Sequence, residues 1–183
     1  GYSFIVALIS FFGITIITSA KILSFLSFVI LIPISYLILN FFISRINSFI
    51  FSLFILFYLP IINYSKIAAP EIVSILFLSL TFLLYLKWLG NLNSKKINYT
   101  NSILLGVFLG TLLWIKYTNG IFFLLFFSFC FGAILIRLKS HFSFYLPIII
   151  SSFFTFFLFL RNFLVAGNIF GHPVNNTPTN PFD

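Results

Sequence analysis

Residues 142–161 read FSFYLPIIISSFFTFFLFLR, and the run carries a single charge, at its last position. A helix needs about 20 consecutive, mostly apolar residues to cross the hydrocarbon core of a bilayer. This run has that length. Its proline, Pro147, is tolerated in a membrane helix when neighbouring groups satisfy the freed carbonyl. These residues therefore predict a membrane-spanning helix.

The whole chain has the composition of a membrane protein. Of its 183 residues, 61% are hydrophobic and 7% are charged, and the mean hydropathy is +1.20. A soluble domain carries about 25% charged residues, and a water-soluble fold of this length could not cover so much apolar surface. The composition predicts an all-α, polytopic transmembrane helix bundle.

Six apolar runs are candidates for spans, and they give a prediction of about six spanning helices. They cover residues 22–43, 48–64, 70–89, 101–117, 119–137 and 142–161. A further run, residues 1–18, is short and is broken by Gly13. Its pattern fits either a seventh span or a helix that lies in the membrane interface.

The net charge of +8 comes from cations that sit singly between the apolar runs. This pattern indicates helix-end anchors and basic cytoplasmic loops, not a nucleic-acid-binding surface. The loops at 44–47, 90–98 and 138–141 share one side and hold the larger basic group, so we place that side in the cytoplasm. His, Cys, Asp and Glu show no metal-ligand spacing, and no cofactor or metal is predicted.

The opposite side collects the more informative polar residues. It holds four cations and the acid Glu71; the cations are Lys21, Lys66, Lys116 and Arg161. Lys and Arg make charge-assisted hydrogen bonds to phosphate, so cations on the side that should lack them indicate a lipid phosphate as partner. The alternative is that each cation only extends to the interface from a helix end. For the whole group together with Glu71, we favour a site.

Four stretches of the chain carry a resemblance to a known family. Residues 1–30 place Tyr2 before a short apolar segment, then an Ala-Lys pair and a helix that begins Leu-Ser. Residues 62–88 place a short polar loop before Glu71 and a long apolar helix. Residues 106–125 contain a Gly-rich helix that ends in the pair Lys116-Tyr117, and residues 161–168 combine Arg-Asn with a Gly-Asn elbow, in which Ile169 stands where proline is usual.

In order and spacing, these stretches resemble the GT-C superfamily of membrane glycosyltransferases, the relatives of protein O-mannosyltransferases and of the aminoarabinose transferase that modifies lipid A. The resemblance implies that residues 1–18 end a first external loop with a membrane-surface helix. Residues 19–162 would form the transmembrane bundle, and residues 163–183 would begin a further external loop. A first transmembrane helix and most of the first external loop would then precede Gly1.

The resemblance also implies an activity. The family transfers a sugar from a polyprenyl-phosphate carrier, dolichyl or undecaprenyl, to an acceptor on the non-cytoplasmic face, here expected at the plasma membrane. The usual general base is an acid of the first external loop, upstream of Gly1, so residues 1–183 alone are expected to be inactive. Glu71 is the alternative base. Its position directly after Pro70 is, however, better explained without catalysis, as an acid that complements the helix dipole.

The remaining site residues follow from the same resemblance. Three cations are expected to bind the carrier phosphate and to stabilise its charge as it departs; they are Lys66, Lys116 and Arg161. Substrate positioning is assigned to Tyr2, Tyr117, Asn162 and His172. The last helix is expected to stop at Arg161, with the Gly-Asn elbow fixing the guanidinium.

Two other classes of protein fit the same composition. A transporter or flippase of polyprenyl-linked sugars would also present cations to a lipid phosphate, but it should carry ionisable residues near mid-membrane. The predicted spans have none near their middles, which favours chemistry at one face. The third class is a structural membrane subunit, in which the cations are anchors only.

Overall fold

The computed structural model describes residues 2–67, 69–93, 99–115 and 142–167. Within these ranges every regular element is a helix. The elements are α1 (Tyr2–Ser10), α2 (Ile16–Leu39), α3 (Arg45–Leu53), a short 3-10 helix (Phe54–Phe57), α4 (Leu59–Lys66), α5 (Pro70–Asn93), α6 (Tyr99–Ile115) and α7 (Phe142–Ala166).

Three of the described helices are long and apolar enough to cross a membrane. They contain the stretches Ile16–Leu39, Pro70–Gly90 and Tyr145–Val165, and α6 is a shorter apolar helix. Many of their large apolar side chains are exposed on the outside of the bundle, as lipid-facing residues are. The prediction of a helical membrane protein is confirmed, whereas the count of six spans is not. The predicted span at 119–137 lies outside the described residues.

The predicted span at 48–64 is not one continuous helix. The chain forms α3, then the 3-10 helix, and then α4, with Tyr58 in an extended conformation between the last two (φ −79°, ψ 95°). Pro60 explains the break. Proline has no N–H to donate to the preceding turn and its ring clashes with the carbonyl four residues earlier, whereas it is accepted in the first turn of a new helix.

The amino-terminal segment is divided into two helices. Helix α1 ends at Ser10, and Gly13 turns the chain with a φ of 83°. Thr15 then caps α2, because its hydroxyl accepts a hydrogen bond of 3.3 Å from the Thr18 N–H. A separate short helix was predicted here from the family resemblance. Its orientation in the membrane plane stays a prediction, and α2 begins six residues before the predicted start of its span at residue 22.

The helices pack around two apolar clusters at opposite ends of α5. One cluster joins Leu31 of α2 to Ile72, Val73 and Ile115. The other joins Trp88 to α6 residues Leu105, Leu109 and Leu112. Ile72, near the start of α5, meets Ile115 at the end of α6, whereas Phe77, further along α5, meets Phe108, earlier in α6, with ring centroids 5.6 Å apart. These two helices therefore run antiparallel. Residues 72 and 73 therefore mark the level at which α6 ends.

Helices α6 and α7 run parallel to each other. Gly106 lies against Pro147 and Ile150, and Gly110 lies against Phe154. Later residues of α6 therefore contact later residues of α7. Ile115, the last residue of α6, and Phe142, the first of α7, lie at opposite ends of the pair. Gly106 and Gly110 thus allow a close approach of α7, as small residues do in membrane proteins.

Candidate functional site

Lys66 and Glu71 lie on either side of a short turn. Lys66 is the last residue of α4 and is exposed, and Glu71 is in the first turn of α5 and is half-buried. Pro70 suits the first position of a helix, and an acid in the first turn interacts favourably with the helix dipole. The turn therefore presents one cation and one carboxyl group at the same end of the bundle.

A hydrogen bond from α2 fixes this turn. The Ser24 hydroxyl donates to the backbone carbonyl of Ala69 at 3.2 Å, and both residues are buried. The Ala69 N–H in turn donates to the Ile67 carbonyl at 2.8 Å. Ser24 is the serine of the Leu-Ser pair near the start of the predicted helix, and nothing in the sequence indicates which carbonyl its hydroxyl meets.

Helix α7 brings Arg161 to the same end. The register between α6 and α7 is constant, since Gly106 meets Ile150 and Gly110 meets Phe154. Continued along parallel helices that rise 1.5 Å per residue, it puts Arg161 about 3 Å beyond Ile115. Ile115 belongs to the cluster that contains Ile72, the residue after Glu71.

Arg161 is paired with its neighbour Asn162. Asn162 is 2% exposed, and its Oδ1 accepts a hydrogen bond of 3.3 Å from an Nη of the exposed Arg161. A buried amide oxygen thus holds an exposed guanidinium close to the helix. The guanidinium has five N–H donors, so this bond leaves most of them for an anion.

The prediction that the last helix stops at Arg161 is wrong. Helix α7 continues to Ala166, so the domain boundary predicted after residue 162 falls inside it. The stop lies at Gly167, which has a φ of 72° and donates its N–H to the Phe163 carbonyl at 3.0 Å. Arginine is a good helix former, so Arg161 does not end the helix. Helices commonly end at a residue in the left-handed conformation, which glycine adopts most easily, and Gly167 is such a residue.

Tyr2 also reaches this end of the bundle. Its ring packs against the cluster of Leu31, Ile72, Val73 and Ile115. Its hydroxyl is buried and has no hydrogen-bond partner within the described part of the chain. Tyr2 also lines a largely apolar cavity of about 300 Å³ between α1 and α2, with Ser3, Val6, Ala7, Ile16 and Ala20.

Two other described cations lie at the far end. Arg45 begins α3, beyond the end of α2, and Lys87 lies near the end of α5; both are exposed. Lys66 and Arg161 thus lie at the opposite end of the described bundle from Arg45 and Lys87. Lys116, Tyr117 and His172 lie outside the described residues.

The described ranges contain no group of three His, Cys, Asp or Glu side chains that could bind a metal ion. Comparison with known proteins adds no relative, because no family model, curated protein or solved structure matches this chain.

Proposed function

We propose that this chain forms part of a GT-C-like glycosyltransferase that moves a sugar from a polyprenyl-phosphate carrier to an acceptor on the non-cytoplasmic face of a membrane. The observation that carries the proposal is the gathering of Lys66, Glu71 and the Arg161–Asn162 pair at one end of an apolar bundle. Charged groups held at the boundary of a membrane suit a substrate with a hydrocarbon tail and a phosphate head.

The cations would act on the leaving group. In the transfer, the bond between the sugar C1 and the phosphate oxygen breaks, and a bond from the acceptor oxygen to C1 forms. The departing phosphate keeps the electron pair and gains negative charge. Lys66 and Arg161 would stabilise that charge, and such interactions are strongest where water is excluded.

A carboxylate would accept the proton that the acceptor hydroxyl loses. The family resemblance implies that this base is an acid of the first external loop, and Glu71 is the described carboxyl group at the same end of the bundle as Lys66 and Arg161. Its place in the first turn of α5 also accounts for an acid there without catalysis. Glu71 therefore has a secondary role in the proposed reaction, and Lys66 and Arg161 have the main one.

The test is an assay of the full-length protein in membranes, with a radiolabelled polyprenyl-phosphate sugar as donor. We expect label to pass to an acceptor and free polyprenyl phosphate to appear in equal amount. A flippase would carry the same donor across the bilayer with its sugar still attached. An intact donor that changes leaflet, with no released polyprenyl phosphate, would overturn the proposal.

A further inference from the structure

The bond between Ser24 and Ala69 joins two distant parts of the chain at the candidate site. Ser24 is completely buried in α2, and its hydroxyl donates across to the Ala69 carbonyl in the turn between α4 and α5. Three residues, 67–69, separate Lys66 from the start of α5. Whatever holds this turn therefore sets the position of Lys66 relative to Glu71.

The Ser24 hydroxyl could find a hydrogen-bond acceptor within its own helix. A buried serine in a helix can satisfy its hydroxyl with the carbonyl of the preceding turn. Ser27, one turn further along α2, does so by donating to the Leu23 carbonyl at 2.7 Å. Ser24 bonds instead to a carbonyl of another element, and Ala69 is itself only 4% exposed. The bond serves the turn, whose buried carbonyl needs a donor.

We propose that Ser24 is a positioning residue, whose hydroxyl holds the turn between α4 and α5 so that Lys66 faces the carrier phosphate while Glu71 lies beside it, toward the acceptor. This inference rests on the proposed function for its catalytic consequence, but not for the structural one. The structural consequence is that removal of the hydroxyl loosens the turn, whether or not the protein transfers a sugar.

The experiment compares Ser24→Ala with Ser27→Ala in the full-length protein. Both variants lose a buried serine hydroxyl from α2, so a general loss of stability affects both. Hydrogen exchange is measured for the backbone amides between residues 67 and 73, except that of Pro70, which has no N–H. Sugar transfer is measured from the radiolabelled donor. We expect exchange to rise about three- to tenfold in Ser24→Ala only, the range for one hydrogen bond, with a similar selective fall in transfer.

A third variant covers the case in which Ser24→Ala does not fold. Ser24→Cys keeps the size of the side chain but replaces a strong donor with a weak one, and it should give intermediate exchange and transfer. Unchanged exchange at 67–73 would overturn the inference, and so would faster exchange with equal transfer in the two alanine variants. Absence of transfer by the wild-type protein would overturn the proposed function, while the exchange result would still decide whether Ser24 holds the turn.

Discussion

The indole Nε1 of Trp114 donates a hydrogen bond to the backbone carbonyl of Phe154 at a distance of 3.1 Å. Phe154 also lies against Gly110, so the two helices are fixed at this level by a polar and an apolar contact together. Arg161 lies two helical turns beyond Phe154 on α7. The register that this pair fixes is therefore the one that puts Arg161 at the level of Glu71.

Replacing Trp114 with Phe should weaken the association of α6 with α7. The change keeps an aromatic ring but removes the donor, and we expect a loss of about 1 kcal/mol in the free energy of unfolding. Thermal unfolding in detergent measures it. Thr111→Val is the control, because the Thr111 hydroxyl bonds to the Phe108 carbonyl within its own helix. Equal losses in the two variants would show that the indole bond adds nothing between the helices.

Replacing Gly110 with Ala should be more damaging. A Cβ at this position would overlap the Cβ of Phe154 and lie 2.8 Å from its Cγ. Overpacking of this kind costs roughly 1–3 kcal/mol. Gly90→Ala is the matched control, since nothing lies within 4 Å of its added Cβ, and alanine has the better helix propensity. Thermal unfolding should show loss at 110 and no loss at 90. The reverse order would contradict the α6–α7 packing.

Because the cations lie at two ends of the bundle, cysteines placed at their positions should be labelled from opposite sides of the membrane. Single cysteines at Lys66 and Arg161 should react with a membrane-impermeant maleimide from one side of the membrane, and those at Arg45 and Lys87 from the other. All four side chains are exposed. Cys130, the single native cysteine, is first changed to Ser. Labelling of positions 66 and 45 from the same side would refute the arrangement.

Replacing Arg161 with Ala in the full-length protein should impair sugar transfer. A charged hydrogen bond contributes roughly 1.5–3 kcal/mol, so we expect a fall of about one to two powers of ten in rate. Arg161→Lys should recover only part of the activity, because an ammonium group lacks the planar fork of donors. Transfer is normalised to the amount of protein in the membrane.

Arg45→Ala is the control for this variant, because Arg45 is exposed at the opposite end of the bundle. It should leave the rate of transfer unchanged, although it can alter membrane orientation. Wild-type activity in Arg161→Ala would return Arg161 to the status of an interface anchor and would remove the central residue of the candidate site.

The sequence by itself determined that the chain is helical and lies in a membrane, and it located the apolar stretches in α2, α5 and α7. These properties follow from a local sum of free energies. The free energy of transfer of each side chain from water into hydrocarbon adds to those of its neighbours along about 20 residues. The same sums could not separate α3 from α4, since hydropathy does not register the missing N–H of Pro60. Nor could they show that α7 runs past Arg161, where a polar residue ends the apolar run but not the helix.

Only the tertiary structure decided which groups meet. The charge pattern predicted that Lys66 and Arg161 share one end, but the parallel register of α6 and α7 depends on how Phe154 fits against Gly110. In the same way, the partner of the Ser24 hydroxyl is a carbonyl 45 residues away. Such contacts are pairwise and directional, and a hydrogen bond fails when distance or angle departs from a narrow range. A sum over neighbouring residues contains no information about them.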